Sequence, residues 1–104
     1  MKLLIELIQK MKKELPVDTN RIYITGLSMG GQGTYDAIER YPQLFAAAVP
    51  VSGGGDTSKA ASIATIPLWI FHGAEAPNVS SKYSLQMLEA LTNAGAHPGF
   101  TQYP

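Results

Sequence analysis

Two stretches of this chain are apolar from end to end: Phe45-Ala46-Ala47-Ala48-Val49-Pro50-Val51 and Ile66-Pro67-Leu68-Trp69-Ile70-Phe71. A strand with one wet face alternates apolar and polar residues, whereas a strand buried on both faces has no need to. Runs of this kind call for a sheet packed on both sides. Segments with helical periodicity separate them from each other and from two further strand-like runs. The order reads helix, strand, helix, strand, helix, strand, helix, strand. That alternation predicts an α/β fold, a parallel sheet of about four strands joined by crossover helices.

The first helix is expected over about Lys2 to Glu14, ending before Pro16. Leu4, Ile8, Met11 and Leu15 form one apolar stripe along it. It is not a leader peptide by pattern, because Glu6, Gln9 and Lys10 interrupt the apolar run and no small-residue cleavage site follows. Arg21 to Thr25 is rich in β-branched and aromatic residues and reads as a strand. A helix over about Met29 to Arg40 stops before Tyr41-Pro42. Pro50 belongs near the exit of its strand. Ser52 to Asp56 is a glycine-rich loop, Ser58 to Ala64 a short helix, and Glu75 to Val79 a loop. Ser81 to Ala94 is a helix presenting Met87, Leu88 and Leu91 on one face, with Gly95 as its cap. Phe100 to Tyr103 is a last strand.

Composition narrows the function. The chain of 104 residues suits one domain with one core. Eight Lys+Arg balance eight Asp+Glu, so no net field favours nucleic acid or an anionic membrane. There is no cysteine, which removes disulfides, thiolate metal sites and a cysteine nucleophile. No run approaches the ~20 apolar residues of a membrane span. Nothing in the sequence asks for a metal or an organic cofactor, and the compartment is not legible.

The chemistry-bearing motif is Gly26-Leu27-Ser28-Met29-Gly30-Gly31, with a strand-like run before it and a helix-like run after it. A serine hydroxyl is a weak nucleophile that needs exposure, a base and donors for the oxyanion it creates. G-x-S-x-G on a strand-to-helix turn supplies exposure, and the N–H of the following residue, Met29, faces the developing oxyanion. The helix N-terminus adds a favourable dipole. Gly26, Gly30 and Gly31 keep the turn clear of side chains. The spacing matches neither phosphate-binding glycine pattern.

With these residues in place, the stretch "DTNRIYITGLSMGGQGTYDAIERYPQLFAAAVPVSGGGD", followed by "IPLWIFHGA", resembles α/β-hydrolase serine esterases. The likeness is to the predicted-peptidase and phospholipase/carboxylesterase branch, with dienelactone-hydrolase-like and polyhydroxybutyrate-depolymerase-like enzymes as neighbours. It implies a hydrolase for a small ester-type substrate, with peptide and thioester bonds as the other options, an acyl-enzyme on Ser28, and a chain equivalent to strands five to eight of the parent fold. Residues 1–104 are thus expected to form one partial domain, without the parent's N-terminal strands and its C-terminal histidine loop.

The resemblance also shows a departure. The family acid is expected two residues beyond H-G-A, where this chain has Ala76. Glu75, one residue earlier, and Asp56, after the preceding strand, are the candidate replacements; their plain readings are a solvated loop residue and a helix N-cap. The family base lies after the eighth strand, beyond Pro104. His72, ending a strand, reads as a buried structural residue, and His97 sits in a turn away from the site. The isolated chain is therefore expected to be inactive, and a hydrolase fold kept for binding is the alternative.

Crossovers between parallel strands are right-handed, so four strands laid down in one direction put all three crossover helices on one face, and the resemblance implies that the first helix joins them there. The other face is expected to be open and apolar, as is the edge of the first strand. Three situations fit: a fragment, a self-associating chain, or a chain completed by another that supplies the missing half.

Overall fold

A computed structural model describes residues 1–74 and 80–104. In chain order the elements are α1 (Lys2–Glu14), β1 (Tyr23–Leu27), α2 (Met29–Arg40), β2 (Ala47–Val51), a 3-10 turn (Thr57–Lys59), α3 (Ala60–Ile63), β3 (Trp69–Gly73), α4 (Ser81–Asn93) and β4 (Gly99–Tyr103). The sheet has four strands in the order β1-β2-β3-β4, every neighbouring pair parallel. This is the α/β architecture that the alternation of runs predicts.

Register decides which side chains share a face. Tyr23, Thr25 and Leu27 lie level with Ala47, Val49 and Val51. Val51 is level with Phe71, and Phe71 with Thr101. The alternate residues Ile24, Ala48, Pro50, Ile70, His72 and Phe100 form the opposite face. That second face carries the core, where Tyr35 and Ile38 of α2, Ile63 of α3, and Met87 and Leu91 of α4 are wholly buried against it. On the first face Tyr23, Leu27, Trp69 and Tyr103 are 66, 69, 52 and 59% exposed. The helices therefore lie on one side, as right-handed crossovers require. The other side is open and apolar, carrying a stack of Trp69, Phe71 and Tyr103 with centroid separations of 5.3 and 6.3 Å.

The strand boundaries differ from expectation, most of all at β1 and β3. β1 starts at Tyr23 and runs through Gly26 to Leu27, because β2 offers partners from Ala47 to Val51. β3 starts at Trp69 and continues through His72-Gly73, because β4 pairs along its whole length. Before it, Ile66 is still bonded back to the Ile63 carbonyl and closes the α3 turn. The α1 stripe also differs. Met1, Ile5 and Ile8 pack against the core, while Leu4, Met11 and Leu15 are 39, 42 and 48% exposed. Met87 and Leu91 of α4 do face inward, and Gly95 (φ +91°) ends that helix by donating its N–H to the Thr92 carbonyl.

Candidate active site

The site grows out of the C-terminal end of β1. The strand passes directly into α2 with Ser28 between them, at φ 60° and ψ −108°. A non-glycine residue in that region is strained by ~1–3 kcal/mol and persists only where its surroundings over-determine it. Those surroundings can be named. The Ser28 N–H donates to the Val51 carbonyl at 2.8 Å, and its own carbonyl accepts from Gln32 N–H at 3.1 Å. Thr25 Oγ1 donates to the Val49 carbonyl at 2.6 Å. A Cβ on Gly26 would collide with the Gly30 carbonyl, so the turn closes only over glycine. A Cβ on Gly31 would stand 2.6 Å from the Val51 carbonyl, and one on Gly53 would stand 2.5 Å from the Gln32 nitrogen. The first turn of α2 thus lies backbone to backbone on the segment after β2. Gly30 faces open space.

Ser28 sits at the N-cap of α2, where serine commonly bonds a first-turn N–H, yet its side chain makes no capping bond. Ser28 is half-buried, at the C-terminal end of β1. The amides of Met29, Gly30 and Gly31 lie in the first turn, where a helix has no internal acceptors to offer. The Met29 side chain is 83% exposed.

The remaining candidates fall in different places. Glu75 and Ala76 lie outside the described residues. Asp56 caps the 3-10 turn, its Oδ1 accepting from Ser58 N–H at 3.0 Å and Ser58 Oγ at 2.6 Å. Those two bonds, the hydroxyl first, hold its carboxyl below the ordinary aspartate value. His72 is 1% exposed, with Nδ1 2.6 Å from Ser84 Oγ on α4. His97 is exposed in the turn before β4. Because all strands run the same way, that turn lies at the end of the sheet opposite Ser28. Among the described residues no group of three or more His, Asp or Glu is placed to hold a metal ion. None of their helices is long and apolar enough to cross a membrane.

Sequence reading missed Ser52. It is the second non-glycine residue at positive φ (53°), and its Oγ accepts the Gly73 N–H at 3.3 Å. The signal was present as the run Gly53-Gly54-Gly55. A Cβ on Gly54 would stand 2.8 Å from Tyr83 Cβ, and one on Gly55 2.8 Å from Tyr35 Cγ. The loop is glycine-rich because α2 and α4 press on it.

Known proteins resemble this chain in sequence and fold. Residues 2–93 match the prolyl oligopeptidase family. A solved thermostable esterase superposes with TM-score 0.95 at 46% identity, over 97% of this chain and 27% of its own. The acylaminoacyl peptidase of Pyrococcus horikoshii superposes with TM-score 0.86 at 20% identity, over 99% of this chain and 22% of its own. In sequence the chain is 37% identical over 68 residues to a bifunctional acetylxylan esterase/xylanase from Neocallimastix patriciarum, spanning 65% of this chain and 10% of that protein. It is 39% identical over 49 residues to a poly(3-hydroxyalkanoate) depolymerase from Paucimonas lemoignei, spanning 47% of this chain and 12% of that protein. This chain spans about a quarter of those solved structures and about a tenth of those curated relatives. With four parallel strands, a strained serine between β1 and α2, and a family match over nearly its whole length, the chain belongs to the prolyl oligopeptidase family of α/β-hydrolases.

Proposed function

We propose that Ser28 is the nucleophile of a serine hydrolase acting on carboxylic esters, and that this chain forms the nucleophile-bearing part of that enzyme's domain. One observation carries the reading: Ser28 is held at positive φ between strand and helix, with its hydroxyl not spent on capping. The identity of 46% with a solved esterase favours ester over peptide bonds.

In this mechanism Ser28 Oγ attacks the ester carbonyl carbon and gives up its proton to a base. The Met29 N–H stabilises the resulting oxyanion. Collapse re-forms the carbonyl and breaks the bond from its carbon to the alkoxy oxygen, the alcohol leaves with the proton the base had taken, and the acyl group remains on Ser28 until water hydrolyses it. Neither His72, buried against Ser84, nor His97, at the far end of the sheet, can serve as that base. The capping bonds on Asp56 favour Glu75 over it as the replacement acid. The rest of the site comes from the polypeptide that covers the open sheet face, and we assign that role to the remainder of a hydrolase domain. The support is that the esterase relative holds this same fold within 27% of its chain. The chain alone is then inactive, since loss of a triad member costs orders of magnitude in rate.

A fluorophosphonate probe tests this. The chain alone should stay unlabelled. Mixing it with the remaining segments of the esterase relative should produce labelling that Ser28→Ala abolishes. Labelling of the chain alone would overturn the claim that it lacks a base. A stable mixed complex that never labels would instead favour a hydrolase fold retained for binding.

A further inference from the structure

Two buried polar side chains face each other inside the covered side of the sheet. His72 projects from β3 and Ser84 from α4, at 1% and 0% exposure, with 2.6 Å between Nδ1 and Oγ. Serine inside a helix competes with the backbone and lowers stability, so a wholly buried one needs a partner it can satisfy. Ser84 has two. Its Oγ also reaches the Gly53 carbonyl at 3.3 Å.

Gly53 is no ordinary loop residue. It is the residue whose backbone lies on Gly31 and Gln32, in the first turn of α2. The residue before it, Ser52, is tied to β3 from both sides. Its N–H donates to the Phe71 carbonyl at 2.8 Å, and its Oγ accepts from Gly73 N–H at 3.3 Å. The residue before that, Val51, accepts the Ser28 N–H. A connected path therefore runs from His72 through Ser84 to Gly53 and on to the turn that holds Ser28.

Proton count sets the direction of that path. A serine hydroxyl has one hydrogen and can donate once. If Ser84 donates to the Gly53 carbonyl, which has no hydrogen to give, then Oγ must accept from His72, and Nδ1 carries the hydrogen. We infer that His72 is a positioning residue for the nucleophile turn: its Nδ1–H fixes Ser84, and Ser84 fixes the Gly53 peptide on which the first turn of α2 rests. This rests on the proposed role of Ser28 only for its meaning, because the wiring is testable without catalysis.

Nitrogen-15 NMR of the full chain reads the imidazole tautomer directly. The expected result is hydrogen on Nδ1; an Nε2–H tautomer with Nδ1 bare reverses the donor order and overturns the inference. Two near-isosteric variants then separate positioning from bulk. The amide nitrogen of His72→Asn falls near Nδ1 and keeps the donor, whereas that of His72→Gln falls near Nε2 and loses it. The amide signals of Ser28, Met29 and Gly31 should stay in place in His72→Asn and move in both His72→Gln and Ser84→Ala. In Ser84→Ala, hydrogen exchange at the Ser28 amide should speed up by about tenfold, the scale of one lost hydrogen bond. Equal movement in the Asn and Gln variants, or none in Ser84→Ala, would overturn it. Should a variant fail to fold, the tautomer of the unmodified chain still decides. None of these readouts depends on labelling of Ser28, so the wiring and the proposed hydrolase function can fail separately.

Discussion

The two faces of the sheet come from the same strands, yet they behave as different materials. On one, Ile70 and Ala48 are 0 and 1% exposed under α2, α3 and α4. On the other, Trp69 and Tyr23 stand 52 and 66% exposed with no helix of the described chain over them. Large apolar side chains on both faces mean that the sequence is written for a sheet covered twice, while these helices cover it once. The core face specifies this chain's own fold. The open face specifies what the chain must meet.

Truncating one residue on each face gives the largest expected contrast. Ile70→Ala should lower unfolding stability by about 3 kcal/mol, because it leaves a cavity in packed surroundings. Trp69→Ala, despite stacking on Phe71 and a 2.8 Å bond to Thr101 Oγ1, should cost the chain alone less than about 1 kcal/mol. Urea denaturation measures both. The unmodified chain should also bind an apolar dye, and Trp69→Ala should bind less. Equal losses from the two truncations, or a chain that binds no dye, would mean that the second face is already covered. Light scattering would then show whether a second copy covers it.

A smaller effect probes a flaw within the covered face. Tyr35 is wholly buried on α2, and among the described residues its hydroxyl has no hydrogen-bond partner. Burial first, then the charge of Glu39, push its ionisation far above the ordinary tyrosine range. An unpaired buried polar atom costs stability that its removal returns. Tyr35→Phe should therefore stabilise the chain by about 1 kcal/mol, read as a higher urea midpoint with an unchanged slope. A loss of stability instead would mean that the hydroxyl has a partner in solution.

Legibility followed the same division. The α2 boundaries, the serine turn and the parallel order could be read from Ser28, its glycines and the alternation of runs, because local geometry and packing agree there. The open face could be read too, since handedness puts the three crossover helices on one side and the family resemblance adds the first helix to them. The α1 stripe held at Ile8 and misled elsewhere, because Leu4, Met11 and Leu15 are as apolar as Met1 and Ile5, so periodicity cannot choose which of them share the inward face with Ile8. The β3 start misled because apolar content marks burial, whereas strand limits follow from where a neighbour offers partners. Ser52 and the path from His72 to Gly53 escaped notice because they join residues far apart in sequence through single hydrogen bonds. No short motif records such a connection.

The smallest expected effect lies at the rim of the covered face, where two carboxylates respond to pH in opposite senses. Glu39, half-buried near the end of α2, accepts the Asp56 N–H at 3.1 Å. Desolvation dominates and raises its carboxyl above the ordinary 4.5, although the Asp56 N–H pulls the other way. A raised folded-state value means that Glu39 favours the fold while neutral, below its unfolded value. That contribution is lost as pH rises through the folded value. Asp56 is lowered by the Ser58 hydroxyl and amide, so its contribution is present above its unfolded value and is lost as pH falls through the folded one. The two slopes have opposite signs and lie in adjoining ranges, that of Asp56 below its ordinary 3.8 and that of Glu39 above its ordinary 4.5. Glu39→Gln keeps an acceptor for Asp56 and removes the charge, so relative to the unmodified chain its melting temperature should rise as pH climbs from 4.5. Asp56→Asn should fall, relative to the unmodified chain, as pH climbs toward 3.8 from the acid side. Both carboxylates are substantially solvated, which keeps the shifts small. Same-signed slopes for the two variants would show that net charge, and not burial on one side and capping on the other, sets the response.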